Sequence, residues 1–114
     1  MRTDAQRLDD VLCAFEAIRS HLTRGTLSDG LVFDSVRVRL IEIGEAVKDI
    51  DPMLLATEPT VAWRDVARMR DHLTHRYFDT DHAIVQATID LDLPPLVAAT
   101  ERITQHLAAQ DDPT

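Results

Sequence analysis

The sequence predicts an all-α protein, an antiparallel bundle of four to five helices. Two observations carry this expectation. Apolar residues recur at steps of three and four through several long stretches, the spacing that gathers them on one helix face. Glycine is scarce, with three in 114 residues, and no alternating run is joined to another by a hairpin turn. A chain of this length fits one domain of about 50–200 residues, and a hydrophobic fraction of 45% supplies a packed core. Residues 1–110 are read as a single domain and 111–114 as a flexible tail.

The first helix should start behind Thr3, because Thr3 and Gln6 have capping-box spacing. Leu8, Val11, Phe15, Ile18 and Leu22 form its apolar stripe, and Gly25 is expected to end it by a left-handed exit. A second helix is expected from Leu31 or Asp34 to Ile50. Phe33, Val36, Leu40, Ile43, Val47 and Ile50 form its stripe, and Val32, Val38, Ile41 and Ala46 widen it. Glu42, Glu45 and Asp49 read as a solvated acidic face. Asp51-Pro52 should open a short helical turn through Leu55, proline suiting the first helical position.

Thr60 is a candidate cap for the next long helix, whose core stripe would be Ala62, Val66, Met69 and Leu73. Asp79-Thr80-Asp81 marks a loop or a new cap, followed by a stripe of Ala83, Ile84, Ala87 and Leu91. Leu93-Pro94-Pro95 reads as a forced break, with Asp92 capping a last helix that carries Val97, Ile103 and Leu107.

Composition narrows the function. Cys13 is the one cysteine, so an internal disulfide and a cysteine-rich metal site are excluded. Between Leu12 and Ala14 it reads as a small apolar core residue. No apolar run approaches the roughly 20 residues that span a bilayer, and the N-terminus lacks a signal-peptide core, so a cytoplasmic protein without a membrane role is expected. The net charge of −8 argues against a general nucleic-acid binder, since phosphate affinity comes from clustered cations. The distribution is uneven, however. From Trp63 to Phe78 four arginines stand against two aspartates, giving +2 with neutral histidines, while the rest of the chain carries −10. A polyanion would be drawn there.

That stretch contains Arg70-Asp71-His72-Leu73-Thr74-His75-Arg76-Tyr77. Arg70-x4-His75-x-Tyr77 resembles the Arg-x4-His-x-Tyr signature of HepT-type toxins of the HEPN superfamily. Arginine and histidine five apart occur often by chance, but further landmarks follow in the family's order. They are Ile43-Gly44-Glu45-Ala46, Trp63-Arg64, Met69-Arg70, Tyr77-Phe78-x-x-Asp81 and Asp92-Leu93-Pro94-Pro95-Leu96. The resemblance covers about residues 4–107.

The resemblance implies an endoribonuclease that needs no metal or other cofactor, forms a homodimer and acts on RNA in the cleft between subunits. Arg70 and His75 take the family's catalytic positions. It further implies the toxin half of a two-gene module. The partner would be an MntA-type minimal nucleotidyltransferase antitoxin that transfers AMP to the motif tyrosine, here Tyr77. Asp71 stands where the family often has asparagine, and Arg76 where a small glycine is common. Asp71 could orient His75 or Arg70, and Arg76 could add a phosphate contact.

The residue types suit this chemistry. Histidine can take or return a proton near neutral pH, and arginine presents a charged planar fork to phosphate oxygens. On an unbroken helix Arg70 and Tyr77 would lie about 20° apart and His75 about 140° from Arg70. His75 therefore joins them only if the helix ends or bends near Thr74, or if a second subunit completes the site. The histidines His72, His75 and His82 lack a zinc-protease spacing and are not read as metal ligands. The alternative function is a non-catalytic helical module that docks on, or presents substrate to, a nucleotidyltransferase.

Overall fold

The computed structural model describes residues 1–75 and 82–111, with the backbone but not the side chains of His75 and Asp111. These residues form α1 (Asp4–Leu22), α2 (Gly30–Asp49), α3 (Pro52–Leu55), α4 (Trp63–His75), α5 (His82–Ala87), a π-helical turn (Thr88–Asp92) and α6 (Leu93–Asp111). Among the described residues there is no strand, as the sequence predicts.

The start of α1 forms as its spacing requires. The Thr3 hydroxyl accepts from the Gln6 N–H at 3.1 Å, and the Thr3 N–H donates to the Gln6 side chain at 2.8 Å. Its exit differs from the expectation. The helix stops at Leu22, and the Thr23 hydroxyl donates to the Ser20 carbonyl at 2.6 Å. No glycine has a positive φ, so Gly25 does not terminate it. The Ser20 carbonyl accepts from both the Thr23 hydroxyl and the Thr23 N–H, and the His21 carbonyl from the Arg24 N–H, so the last turn is satisfied without a left-handed residue. Asp29 starts α2, its carboxylate accepting from the Leu31 and Val32 N–H groups at 2.9 and 3.4 Å. α3 opens behind Asp51 with Pro52 in its first turn.

The core lies where α1, α2 and α6 meet. Leu8, Val11, Ile18, Val36, Leu40, Ile43, Leu96 and Ile103 are each at most 2% exposed. All six expected stripe residues of α2 are buried, so this helix is the axis of the molecule. It packs on α1 along one side and on α4 along another. Among the described side chains of α4 only Leu73 is buried. Val66 and Met69 are half-covered and Ala62 is exposed, because that side of α4 faces an apolar groove of about 790 Å³ toward α5 and α6. Nor does Thr60 cap α4: its first turn is closed by the Ala62 carbonyl, which accepts from Asp65 and Val66.

The largest departure is at the two prolines. Pro94 and Pro95 do not break the chain into separate helices; they occupy the first turn of α6, entered directly from the π turn. Proline lacks an N–H and its ring collides with the carbonyl four residues earlier. Widening the preceding turn, with the Leu93 N–H donating to the Thr88 carbonyl five residues back, makes room for both rings. The extra residue also rotates the face. Ala83, Ile84, Ala87 and Leu91 are exposed, while Val85 and Leu93 are buried and Ile89 partly so.

Asp111 ends α6, and 112–114 lie outside the described residues. No described helix is long and apolar enough to cross a membrane.

Candidate active site

The site is built where α2 crosses α4, and Gly44 sets that crossing. A Cβ at Gly44 would stand 2.8 Å from the Arg70 Cβ, 3.2 Å from the Arg70 backbone nitrogen and 3.2 Å from the Val66 carbonyl. Only hydrogen fits there, so α4 lies directly against the α2 backbone and carries Arg70 with it. The next residue along α2, Glu45, then reaches the guanidinium.

Arg70 donates through Nε to Glu45 Oε1, and through Nη1 to Asp71 Oδ1 at 3.0 Å. Its side chain remains 33% exposed, so it is held and yet open to an incoming anion. The hydrogen bonds to Asp71 and then Glu45, with their negative charges, push its pKa above the ordinary arginine value. It stays a fixed cation throughout the biological range. The acidic face expected on α2 is thus only partly solvated: Glu45 is bound to Arg70, and Glu42 is paired with Arg39 at 2.8 Å. A contact between residues 25 apart on different helices leaves no trace in sequence spacing, and Glu45 was missed as a member of the site for that reason.

The other motif residues fall at the end of α4. Asp71 is exposed beside Arg70, its Oδ1 accepting from Arg70 Nη1. The backbone of His75 is the last described residue of α4, and the course of the chain beyond it, on which a site joining Arg70 and His75 depends, lies outside the described residues. Arg76 and Tyr77 lie outside the described residues, and so does any contact made by the His75 side chain.

α2 also holds both flanks of that segment. Arg37 donates to the Leu73 carbonyl at 2.8 Å, a direct tie from α2 to the backbone of α4. The Thr74 hydroxyl donates to the Arg70 carbonyl at 2.9 Å and to the Asp71 carbonyl at 3.3 Å. Beyond the segment, the His82 ring stacks on Phe33 with centroids 4.0 Å apart and planes at 24°. At the far end of α4, Trp63 is half-buried and donates its indole N–H to the Glu58 carbonyl at 3.0 Å. Among the described residues no cluster of histidine, cysteine and carboxylate has the arrangement to hold a metal ion.

Cys13 departs from its expected core role. It is exposed beside Asp9, whose carboxylate is 3.7 Å from the sulfur, and lines a groove between α1 and α2. The negative charge of Asp9 pushes its pKa up, which keeps it a thiol.

The family model described as "Ribonuclease HepT-like" matches residues 10–103, which include α2, α4 and Arg70. The chain belongs to the HepT-like family. A protein of Thermococcus cleftensis named "Probable ribonuclease HepT" is 32% identical over 106 residues, covering 90% of this chain and 96% of that one. A putative RNase of Caldanaerobacter subterraneus subsp. tengcongensis is 32% identical over 110 residues, covering 92% and 97%. A putative RNase of Methanocaldococcus jannaschii is 34% identical over 76 residues, covering 66% and 63%. No solved structure matches. The HepT-like match runs through both helices of the Arg70 crossing, so the arrangement around Gly44 and Glu45 sits inside the family's own span.

Proposed function

We propose that this HepT-like chain is a metal-independent endoribonuclease that cleaves RNA with Arg70 and His75. The carrying observation is Arg70 itself, a permanently charged guanidinium held by Glu45 of α2, partly open to solvent, on the same helix as His75 and five residues before it. The names of the relatives point to the same activity.

Cleavage uses the RNA's own 2′-hydroxyl. A bond forms from O2′ to phosphorus and the bond to O5′ breaks, leaving a cyclic phosphate and a 5′-hydroxyl. One His75 takes the proton from O2′, and a second His75, from the other subunit of a twofold dimer, returns a proton to O5′. Arg70 stabilises the charge that builds on the non-bridging oxygens. Asp71 helps to orient Arg70, and Arg76 adds a cation for the neighbouring phosphate. Two subunits are needed because the one motif histidine of each chain, His75, cannot be base and acid in the same step.

In the cell this activity makes the chain the toxin of a two-gene module. Its antitoxin is an MntA-type nucleotidyltransferase that transfers AMP to Tyr77. The adduct places bulk and a negative phosphate where the RNA phosphate must lie, and excludes it by contact and repulsion.

Expression of the chain alone tests this reading. It should arrest growth, and Arg70→Ala or His75→Ala variants that accumulate as folded protein should not. Full arrest by both variants would place the activity elsewhere. Incubation with the partner and ATP should add the mass of AMP to the chain, and Tyr77→Phe should abolish the addition.

A further inference from the structure

We infer that Glu45 is a positioning residue for Arg70, holding the guanidinium by its Nε–H so that the terminal edge faces the RNA phosphate. The inference rests on the ribonuclease reading for its kinetic consequence, but its geometric content stands apart from it.

A guanidinium has five N–H donors in one plane. The Nε–H goes to Glu45 and one Nη1 hydrogen to Asp71. Among the described residues none accepts from Nη2, and the inference turns this terminal edge, its plane already set by the two carboxylates, toward the phosphate. The two anchors differ in kind. Asp71 is the next residue on the same helix and is 63% exposed. Glu45 belongs to α2, is 43% exposed, and is carried to Arg70 by the helix crossing at Gly44. It is the anchor that ties the arginine to the body of the protein. An arginine side chain free in solvent samples many rotamers, and fixing it beforehand removes that cost from the reaction step. The arrangement also carries a penalty, since two carboxylates beside one guanidinium leave the site locally negative, which weakens phosphate binding. Preorganisation acts on the chemical step, so Glu45 should show mainly in the rate. The charge penalty should change substrate affinity only slightly, because both carboxylates are partly exposed.

Two substitutions separate holding from charge. Glu45→Gln removes the charge but keeps a side-chain oxygen at the same reach. Glu45→Asp keeps the charge but withdraws the oxygens by one methylene. With a labelled single-stranded RNA, E45D should lower kcat about tenfold or more with KM within about threefold, whereas E45Q should stay within about threefold of the parent kcat. The reverse ranking, or parent kcat in E45D, overturns the inference.

A second readout is independent of activity. The Arg70 Nε–H resonance of the 15N-labelled chain is identified by its loss in Arg70→Lys. Its exchange with water should quicken about tenfold in E45D and change less than about threefold in E45Q. Unchanged exchange in E45D overturns the inference even if the protein cleaves RNA. Failure of the ribonuclease reading is recognised separately, by an Arg70→Ala variant that cleaves at the parent rate.

Discussion

Gly44 and Arg70 depend on each other at the level of single atoms. A methyl group at position 44 would stand inside contact distance of the Arg70 Cβ and backbone. Glycine to alanine within a helix ordinarily gains about 1 kcal/mol, but overpacking costs about 1–3 kcal/mol. The atoms met here belong to the backbone and Cβ of α4 and cannot swing aside, so the cost prevails. Gly44→Ala should lower unfolding stability by roughly 1 kcal/mol in a urea titration and reduce RNA cleavage as Arg70 is displaced. An alanine variant as stable as the parent would show that the helices separate freely. Arg70 and His75 were legible as site candidates because their spacing is local. Glu45 and Gly44 stood in a recognisable segment, yet their roles were hidden, because both are defined by what α4 brings to them. Cys13 misled for a related reason: its neighbours in sequence are apolar, but it faces the groove and Asp9. Asp9→Asn should speed its alkylation near pH 8, and an unchanged rate would mean that Asp9 does not hold the thiol protonated.

Among the elements, the start of α1 and the stripes of α1 and α2 were readable, because a capping box and regular apolar spacing are local signals. The exit of α1 and the Asp29 cap were not, and neither was the passage from α5 to α6. A π turn adds one residue to the ring and leaves composition unchanged, so the apolar period slips and the proline pair reads as a break. How α4 is tied to α6 was equally hidden. Glu58 accepts two hydrogen bonds from Arg102, at 2.6 and 2.9 Å, while its carbonyl receives the Trp63 indole. The hydrogen bonds from Arg102 hold the Glu58 carboxyl below its ordinary pKa. A depressed folded pKa contributes stability above the unfolded value of about 4.3, and that contribution is lost as pH falls through the lower folded value. Glu58→Gln should therefore melt below the parent at neutral pH and show a flatter loss of thermal midpoint on acidification below about pH 4. Parallel curves for the two proteins would remove this tie from the account.

Taken whole, the molecule is elongated, 50 × 28 × 26 Å, with a radius of gyration of 14.6 Å against about 13 Å for a compact chain of this size. α2 is covered on several sides, whereas α4 rests on α2 and borders an apolar groove opposite. Among the described residues the helix with the local excess of arginine thus has only Leu73 buried, and its Arg64 and Arg68 are exposed on the surface of an otherwise acidic domain. The all-helical class was legible because it follows from periodicity and scarce glycine, while the placement of α4 follows from one close helix contact. The account turns on Arg70 as the group that stabilises the cleaved phosphate, and RNA cleavage by purified protein in excess EDTA tests it most directly. The parent should cleave single-stranded RNA, and Arg70→Ala should be slower by about a hundredfold or more with its helical content and thermal midpoint retained. Cleavage by Arg70→Ala at the parent rate, or loss of parental cleavage in EDTA, would contradict it.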